Sequence, residues 1–299
     1  YLLGIANVNL HDLESALKNF LSAIKLNPNL KDAHNQIISI LTSFKPTSNH
    51  EHPYIFVNSM VDQINFDYSE DKFIDDSKII NFFTKSLAIV NKYLNNLSIP
   101  NTQIFRQNSD NLNCERHFKV FNTYNVIPKF CFGCFKITIE LENVLDLFKL
   151  YFVFDNLYLG LKNTRKVMVE YRKDISGSYK GLIYCKNSTE LDLIKEKLNK
   201  ILCKNIGSNF SISTKRGCSE FGIKYPSYKK VSLNKDEMMK YKNNWQDKEK
   251  IIDSKIYNEN SEKGLVYPSL SGPKLQDILV MKNWLNYAKK INDNFFKIL

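Results

Sequence analysis

Residues 135–141, FKITIEL, decide the fold, because apolar and polar side chains alternate along them. Apolar side chains stand at the odd positions from Phe135 to Leu141, and Lys136, Thr138 and Glu140 stand at the even positions. A period of two is the pattern of a strand that buries one face. The stretch therefore predicts a β-strand with one apolar and one polar face.

Two helices are predicted on the C-terminal side of this strand. Asn143, with Asp146 three positions later, offers an N-cap before an apolar run to about Leu159. Asn187 and Glu190 have the spacing of a capping box, and apolar residues recur at helical spacing after them. Each helix follows a segment with strand character.

Three further segments predict strands, at residues 165–172, 179–185 and 210–218. The first two flank a turn that contains Gly177. The resulting order of strand, helix, strand, strand, helix, strand resembles the ferredoxin-like split motif. The resemblance implies a domain over residues 129–226 in which the fourth, first, third and second strands lie side by side.

The N-terminal segment carries small and large residues in a recognisable order. Leu3-Gly4 is followed by Ala16, Phe20, Ala23 and Pro28. This spacing resembles the tetratricopeptide repeat, whose small residues let two helices approach closely and whose proline ends the second. A generic helical hairpin is the alternative interpretation.

The tetratricopeptide resemblance covers residues 1–41, because Ala33 to Leu41 looks like the first helix of a following repeat. Asn7 departs from the pattern, which usually has an aromatic residue there. A single repeat cannot bury its apolar face, so we expect these residues to end an array whose earlier members lie upstream of Tyr1. The resemblance implies a protein partner that binds the repeat helices.

The other segments predict a linker and two helical regions, which makes the predicted fold class α+β. Residues 42–54 are rich in Pro, Ser, Asn and His, as linkers are. Residues 55–128 predict a helical connecting region. Residues 227–299 predict a C-terminal helical extension, in which Asn234 with Glu237 has the spacing of a helix cap.

The charge, the cysteine content and the apolar stretches of the chain limit which classes of protein it can belong to. The net charge of +11 and the pI near 9.1 permit contact with nucleic acid, but the lysines are dispersed among many asparagines. Six cysteines in 299 residues lack the density of a disulfide scaffold, so we expect a reducing cytoplasm. The longest apolar stretch contains Asp146, Lys149 and Asp155, which argues against a membrane span.

The cysteines offer a candidate metal site. Cys131 and Cys134 form a C-x-x-C before the first strand, Cys185 ends the third strand and Cys218 ends the fourth. In the expected strand order these four thiols converge at one sheet edge, with Lys215 beside them to favour thiolates. Four thiolates suit a structural zinc; an iron-sulfur cluster fits less well because its cysteines usually lie close together in sequence. Buried apolar cysteines or a redox pair are the alternatives.

The predicted function is an adaptor that joins repeat helices to a zinc-tied α/β domain, and two other functions are alternatives to it. The predicted strands resemble those of RNA-recognition domains, and Tyr184, Lys180 and Lys136 would contact the nucleic acid, although Leu182 stands where an aromatic ring is usual. An enzyme of transferase type, suggested by analogy with other repeat proteins, is the other alternative. Such an enzyme would use polar residues at the sheet edge: Glu170, Arg172, Asp174 and Glu220.

Overall fold

The chain folds as a mixture of α-helices and an antiparallel β-sheet, in agreement with the α+β class. The computed structural model describes residues 1–95, 97–107, 112–159, 163–231, 238–258 and 268–297. The helices are α1 (Leu2–Asn9), α2 (Leu13–Leu26), α3 (Lys31–Ser43), α4 (Pro53–Asp62), α5 (Asp76–Tyr93), α6 (Cys114–Tyr124), α7 (Val144–Asn156), α8 (Ser188–Asn205), α9 (Ser219–Lys224), α10 (Gln246–Asn258) and α11 (Leu275–Lys290). The strands are β1 (Gln103–Arg106), β2 (Phe135–Leu141), β3 (Arg165–Val169), β4 (Tyr179–Cys185) and β5 (Phe210–Arg216).

The sheet has the strand order β1-β3-β4-β2-β5, and neighbouring strands are antiparallel. The four strands predicted from the sequence are therefore neighbours in the order β5, β2, β4, β3. The remaining strand, β1, lies in the segment 55–128 that was predicted to be helical. Its four residues, QIFR, are too few to display a period.

The two faces of the sheet differ in what covers them. Gly181 of β4 faces α7 so closely that an added Cβ would lie 2.5 Å from Leu150 Cδ2. Ile139 lies opposite Gly181 in the register, so the odd-numbered residues of β2 face the helices as well. The even-numbered residues of these strands face away from α7.

Local signals place the helices where the sequence predicts them. The side chain of Asn143 accepts a hydrogen bond from the amide of Asp146, and Asn187 accepts one from Glu190. Both are N-caps, because a side-chain oxygen satisfies an amide that has no partner within the helix. The cap predicted at Asn234 and Glu237 lies outside the residues that the structure describes.

The N-terminal helices share a hydrophobic core with the sheet. α1 packs on α2, and Gly4 lies against the ring of Phe20. α11 contacts α3, α4, α5 and α7, and its Trp284 is fully buried. The repeat-like helices and the sheet are thereby joined through α11.

A buried ion-pair cluster joins β1, α7 and α11. The Nε atom of Arg106 lies 2.6 Å from Asp155, and its Nη2 atom lies 2.6 Å from Asp277. The same guanidinium donates to the hydroxyl of Tyr151 at 2.6 Å. Among the described helices, none is long and apolar enough to cross a lipid bilayer.

Candidate anion-binding site

A pocket of about 640 Å³ lies on the sheet face that α7 and α8 leave uncovered. Its floor includes Lys136 of β2, Lys166 of β3 and Tyr184 of β4. Cys114 and Phe118 of α6 line one wall, and residues 218–220 at the start of α9 line another. The pocket is therefore built on the polar faces of the strands that alternation predicted.

A row of four residues crosses the floor. Lys136 lies directly opposite Lys215 of β5 on one side and Tyr184 of β4 on the other. The amide of Tyr184 donates to the carbonyl of Thr164, which extends the row to the residue before β3. Side chains directly opposite each other on one face are close neighbours, so the register makes the side chains of Lys136 and Lys215 cross-strand neighbours.

Lys136 is buried, with only 5% of its surface exposed. Its ammonium lies 3.6 Å from the Sγ atom of Cys218 and 4.9 Å from the ring centroid of Tyr184. Burial by itself lowers the pKa of Lys136, but the neighbouring phenol and thiols raise it above its usual value. Lys136 is therefore a fixed positive charge at the centre of the row.

The pKa values of Lys166 and Lys215, which also line the pocket, are lowered rather than raised. Burial, followed by repulsion from Lys136, lowers the pKa of Lys166 to about 8. The same two causes, in the same order, lower the pKa of Lys215 to about 8. Both shifts reflect burial first and repulsion from Lys136 second.

Both carboxylates of the pocket, Glu170 and Glu220, pair with Arg172. Glu170 pairs with Arg172 at 2.8 Å and lies 3.7 Å from Lys180. Arg172 also pairs with Glu220, which joins the segment after β3 to α9. Five cationic and two acidic side chains line the pocket, so its formal surplus is three positive charges.

A buried hydroxyl on the pocket wall lacks a hydrogen-bond partner within the described part of the chain. Thr164 is 4% exposed, lines the pocket and has no partner for its Oγ1 atom. Burying a polar atom without a hydrogen bond costs about 1–3 kcal/mol. A ligand with a polar group at this position would remove that cost.

The predicted metal ligands divide between the two faces of the sheet. Cys134 accepts a hydrogen bond from the amide of Gly217, which brings the C-x-x-C beside Cys218. Cys131 packs in a second core with Cys218 at its edge, whereas Cys185 is buried in the main core on the helix-covered face. Within the described residues, no group of three His, Cys, Asp or Glu side chains is placed to hold a metal ion. Zinc stays a prediction that metal analysis of the purified protein can test.

The residues predicted to contact nucleic acid lie together. Lys136, Lys180 and Tyr184 all line the pocket, because their even numbers place them on the uncovered face. Of the polar residues considered for an enzyme, Glu170, Arg172 and Glu220 line it, and Asp174 does not.

Sequence reasoning missed Lys166 and Thr164 as site residues and considered Lys215 only as a neighbour of Cys218. Over the predicted strand 165–172, Lys166 shares the even positions with Glu170 and Arg172, whereas mostly apolar residues stand at the odd positions. This pattern was a signal that Lys166 lies on the polar face. The sequence held no comparable signal for Thr164, because it precedes the strand.

Comparison with protein-family models, curated proteins and solved structures gives no match.

Proposed function

We propose that this protein binds a small phosphate-bearing ligand in the pocket on the uncovered sheet face. The observation that supports the proposal is the direct opposition of Lys136 and Lys215 on one face, without a carboxylate partner for either among the described residues. Like charges directly opposite each other destabilise a sheet. An anionic ligand bound between Lys136 and Lys215 would attract both ammonium groups and offset their mutual repulsion.

The charge surplus favours phosphate over a carboxylate. A phosphate monoester carries about −1.5 to −2 charges at pH 7 and offers three acceptor oxygens. The pocket offers three ammonium groups, those of Lys136, Lys166 and Lys215. Three donors of positive charge match the three acceptor oxygens and the negative charge of a phosphate. Charge-assisted hydrogen bonds of this kind are about twice as strong as neutral ones.

The remaining pocket surface suits a nucleotide. Aromatic side chains of three elements line it: Phe105 of β1, Phe118 of α6 and Tyr184 of β4. Rings beside cations are the means by which proteins bind an unpaired base and its phosphate. The ligand can be a free nucleotide or one nucleotide of an RNA strand, because both present the same chemistry.

Isothermal titration calorimetry with uridine 5′-monophosphate, uridine and a uridine hexamer tests the proposal. We expect the monophosphate to bind and uridine to bind at least about tenfold more weakly, the effect of losing one or two charged contacts. A hexamer that binds more tightly, with a steeper salt dependence, would identify a strand as the source. Failure of all three, and of inorganic phosphate, would refute the proposal.

Matched variants connect the binding to the pocket. Lys136→Met and Lys215→Met should each weaken the monophosphate complex by about tenfold, since each removes one charge-assisted contact. Lys85→Met is the control, because Lys85 is exposed on α5 and does not line the pocket. Equal affinity in all three variants would place the binding elsewhere on the protein.

A protein-binding role for the N-terminal helices is a second candidate, supported by exposed apolar residues. Leu2, Leu3 and Leu26 are 80%, 62% and 88% exposed. Leu2 and Leu3 lie on α1, and Leu26 ends the adjacent α2. Exposed apolar side chains that form a patch mark interaction surfaces. A partner that co-purifies with the protein from its own cells should be lost with Leu3→Glu and Leu26→Glu and retained with Lys25→Ala.

We also infer the two finer fold assignments that the sequence resemblances imply. The order β5, β2, β4, β3, with α7 and α8 on one face, supports a ferredoxin-like arrangement for residues 129–226. The close approach of Gly4 to Phe20 supports tetratricopeptide-type helices in residues 1–41.

A further inference from the structure

Lys166 differs from the other lysines of the pocket in what holds its ammonium group. The ammonium of Lys136 contacts the thiol of Cys218 and the ring of Tyr184. Lys180 lies near the carboxylate of Glu170, and Lys215 donates a hydrogen bond to the hydroxyl of Ser219. The Nζ atom of Lys166 lies 5.7 Å from the ring centroid of Phe105 and forms no hydrogen bond or ion pair to another residue that the structure describes. Lys166 is thus the lysine whose nitrogen is most available to a ligand.

The surroundings of Lys166 favour the neutral amine. Burial of its side chain on β3, followed by repulsion from Lys136 and Lys215, lowers the pKa of Lys166 to about 8. Cys114 and Cys218 also face it and act in the other direction. At pH 7 roughly a tenth of such a group is neutral. A lysine that is desolvated and lies next to other cations is an effective nucleophile.

Thr164 places a hydrogen-bonding group beside this amine. It lies two residues before Lys166, so both side chains are on the pocket face of the same extended segment. Its hydroxyl is buried and lacks a partner among the described residues. A ligand that reaches this hydroxyl would give the buried oxygen the hydrogen bond that it lacks.

We propose that Lys166 is a nucleophile that condenses with the carbonyl group of a small phosphate-bearing aldehyde or ketone bound in this pocket. The proposal rests on the anion binding proposed above, because Lys136 and Lys215 would hold the phosphate. The amine lone pair forms a C–N bond, the π electrons of the C=O bond move to oxygen, and a proton transfer gives a carbinolamine. Loss of water then leaves an imine, so the step is a condensation without oxidation or reduction.

Trapping with pyridoxal 5′-phosphate tests the proposal directly. The purified full chain is incubated with this aldehyde or with pyridoxal, which lacks the phosphate, and borohydride then reduces any imine to a stable amine. Peptide mass spectrometry locates the adduct. We expect the adduct on Lys166, with half-maximal labelling by the phosphorylated aldehyde at a concentration at least about tenfold lower.

Two variants separate the nucleophile from the anion site. Lys166→Arg keeps the positive charge but cannot form an imine, so uridine 5′-monophosphate should still bind while the adduct disappears. Thr164→Val removes the hydroxyl and should slow labelling without abolishing monophosphate binding. Lys85→Met should label as the unaltered protein does. Circular dichroism spectra that match the unaltered protein would show that the variants are folded.

The outcomes distinguish the two proposals. An adduct on Lys166 that requires the phosphate supports the nucleophile. An adduct on Lys136 or Lys215 with Lys166 unmodified overturns it and leaves anion binding intact. Monophosphate binding without any adduct above the level of the exposed lysines overturns the nucleophile alone. Absence of both binding and labelling overturns both proposals.

Discussion

Lys136 and Lys215 lie directly opposite each other on β2 and β5, with both side chains on the uncovered face of the sheet. The pairing makes the two lysine side chains direct cross-strand neighbours. In the absence of a ligand the arrangement weakens the sheet.

We therefore expect Lys215→Met to stabilise the protein when no ligand is present. The free energy of unfolding should rise by about 0.5–1 kcal/mol, because a like-charge pair is removed and Met fits a half-buried site. Urea denaturation followed by circular dichroism measures the change. Lys85→Met should shift the value by less than about 0.5 kcal/mol. A loss of stability in Lys215→Met would mean that the lysine is structural.

The affinity for uridine 5′-monophosphate should fall as the pH rises from 7 to 9. The pKa values of Lys166 and Lys215 are each lowered to about 8, so both groups lose their positive charge within this interval. The ligand itself is already fully charged above pH 7 because its second pKa is about 6. Calorimetric titrations at several pH values measure the effect. Constant affinity from pH 7 to 9 would contradict a role for these ammonium groups.

Arg106→Met should destabilise the protein strongly. The substitution leaves Asp155 and Asp277 buried without their cation, and breaking a buried pair by removing one partner costs about 3–5 kcal/mol. Lys78→Met is the control, because its pair with Asp67 is exposed and should cost less than about 1 kcal/mol. Equal unfolding free energies for the two variants would show that the cluster contributes nothing to stability.

Gly217→Ala should disturb the segment that leads into the pocket wall. Gly217 has a φ of +57°, and an added Cβ would lie 2.0 Å from the hydroxyl of Tyr228. Strained backbone and overpacking each cost about 1–3 kcal/mol, so the midpoint of unfolding should fall clearly. Gly133→Ala is a matched control, because no atom lies within 4 Å of its added Cβ. Similar midpoints for both variants would refute the steric argument.

Periodicity predicted the strands well because each buries one face against helices. The segments 135–141 and 179–185 match β2 and β4 residue for residue. β3 and β5 end at Val169 and Arg216, earlier than predicted, because pairing stops where the chain turns away from the sheet. β1 was not predicted, because its four residues show no alternation of polar and apolar side chains and its pairing with β3 cannot be read from the sequence.

The cysteines show what strand order alone leaves open. Strand order puts Cys185, at the end of β4, beside the start of β2, but it does not determine which face of the sheet the side chain occupies. The register of Phe135 opposite Cys185 sets that thiol on the helix-covered side, away from Cys218. Side chains that alternate by one residue point to opposite faces, so a pairing register is needed to bring two of them together.

By itself, the sequence predicted four of the five described strands and the N-caps of α7 and α8, because periodicity and caps are local properties of the chain. Only the tertiary structure decided that Lys136, Lys166 and Lys215, up to 79 positions apart in the sequence, share one pocket with the hydroxyl of Thr164. The physical reason is that a charge cluster depends on strand register and on the distance between side chains, and neither is encoded in the spacing of residues along one strand.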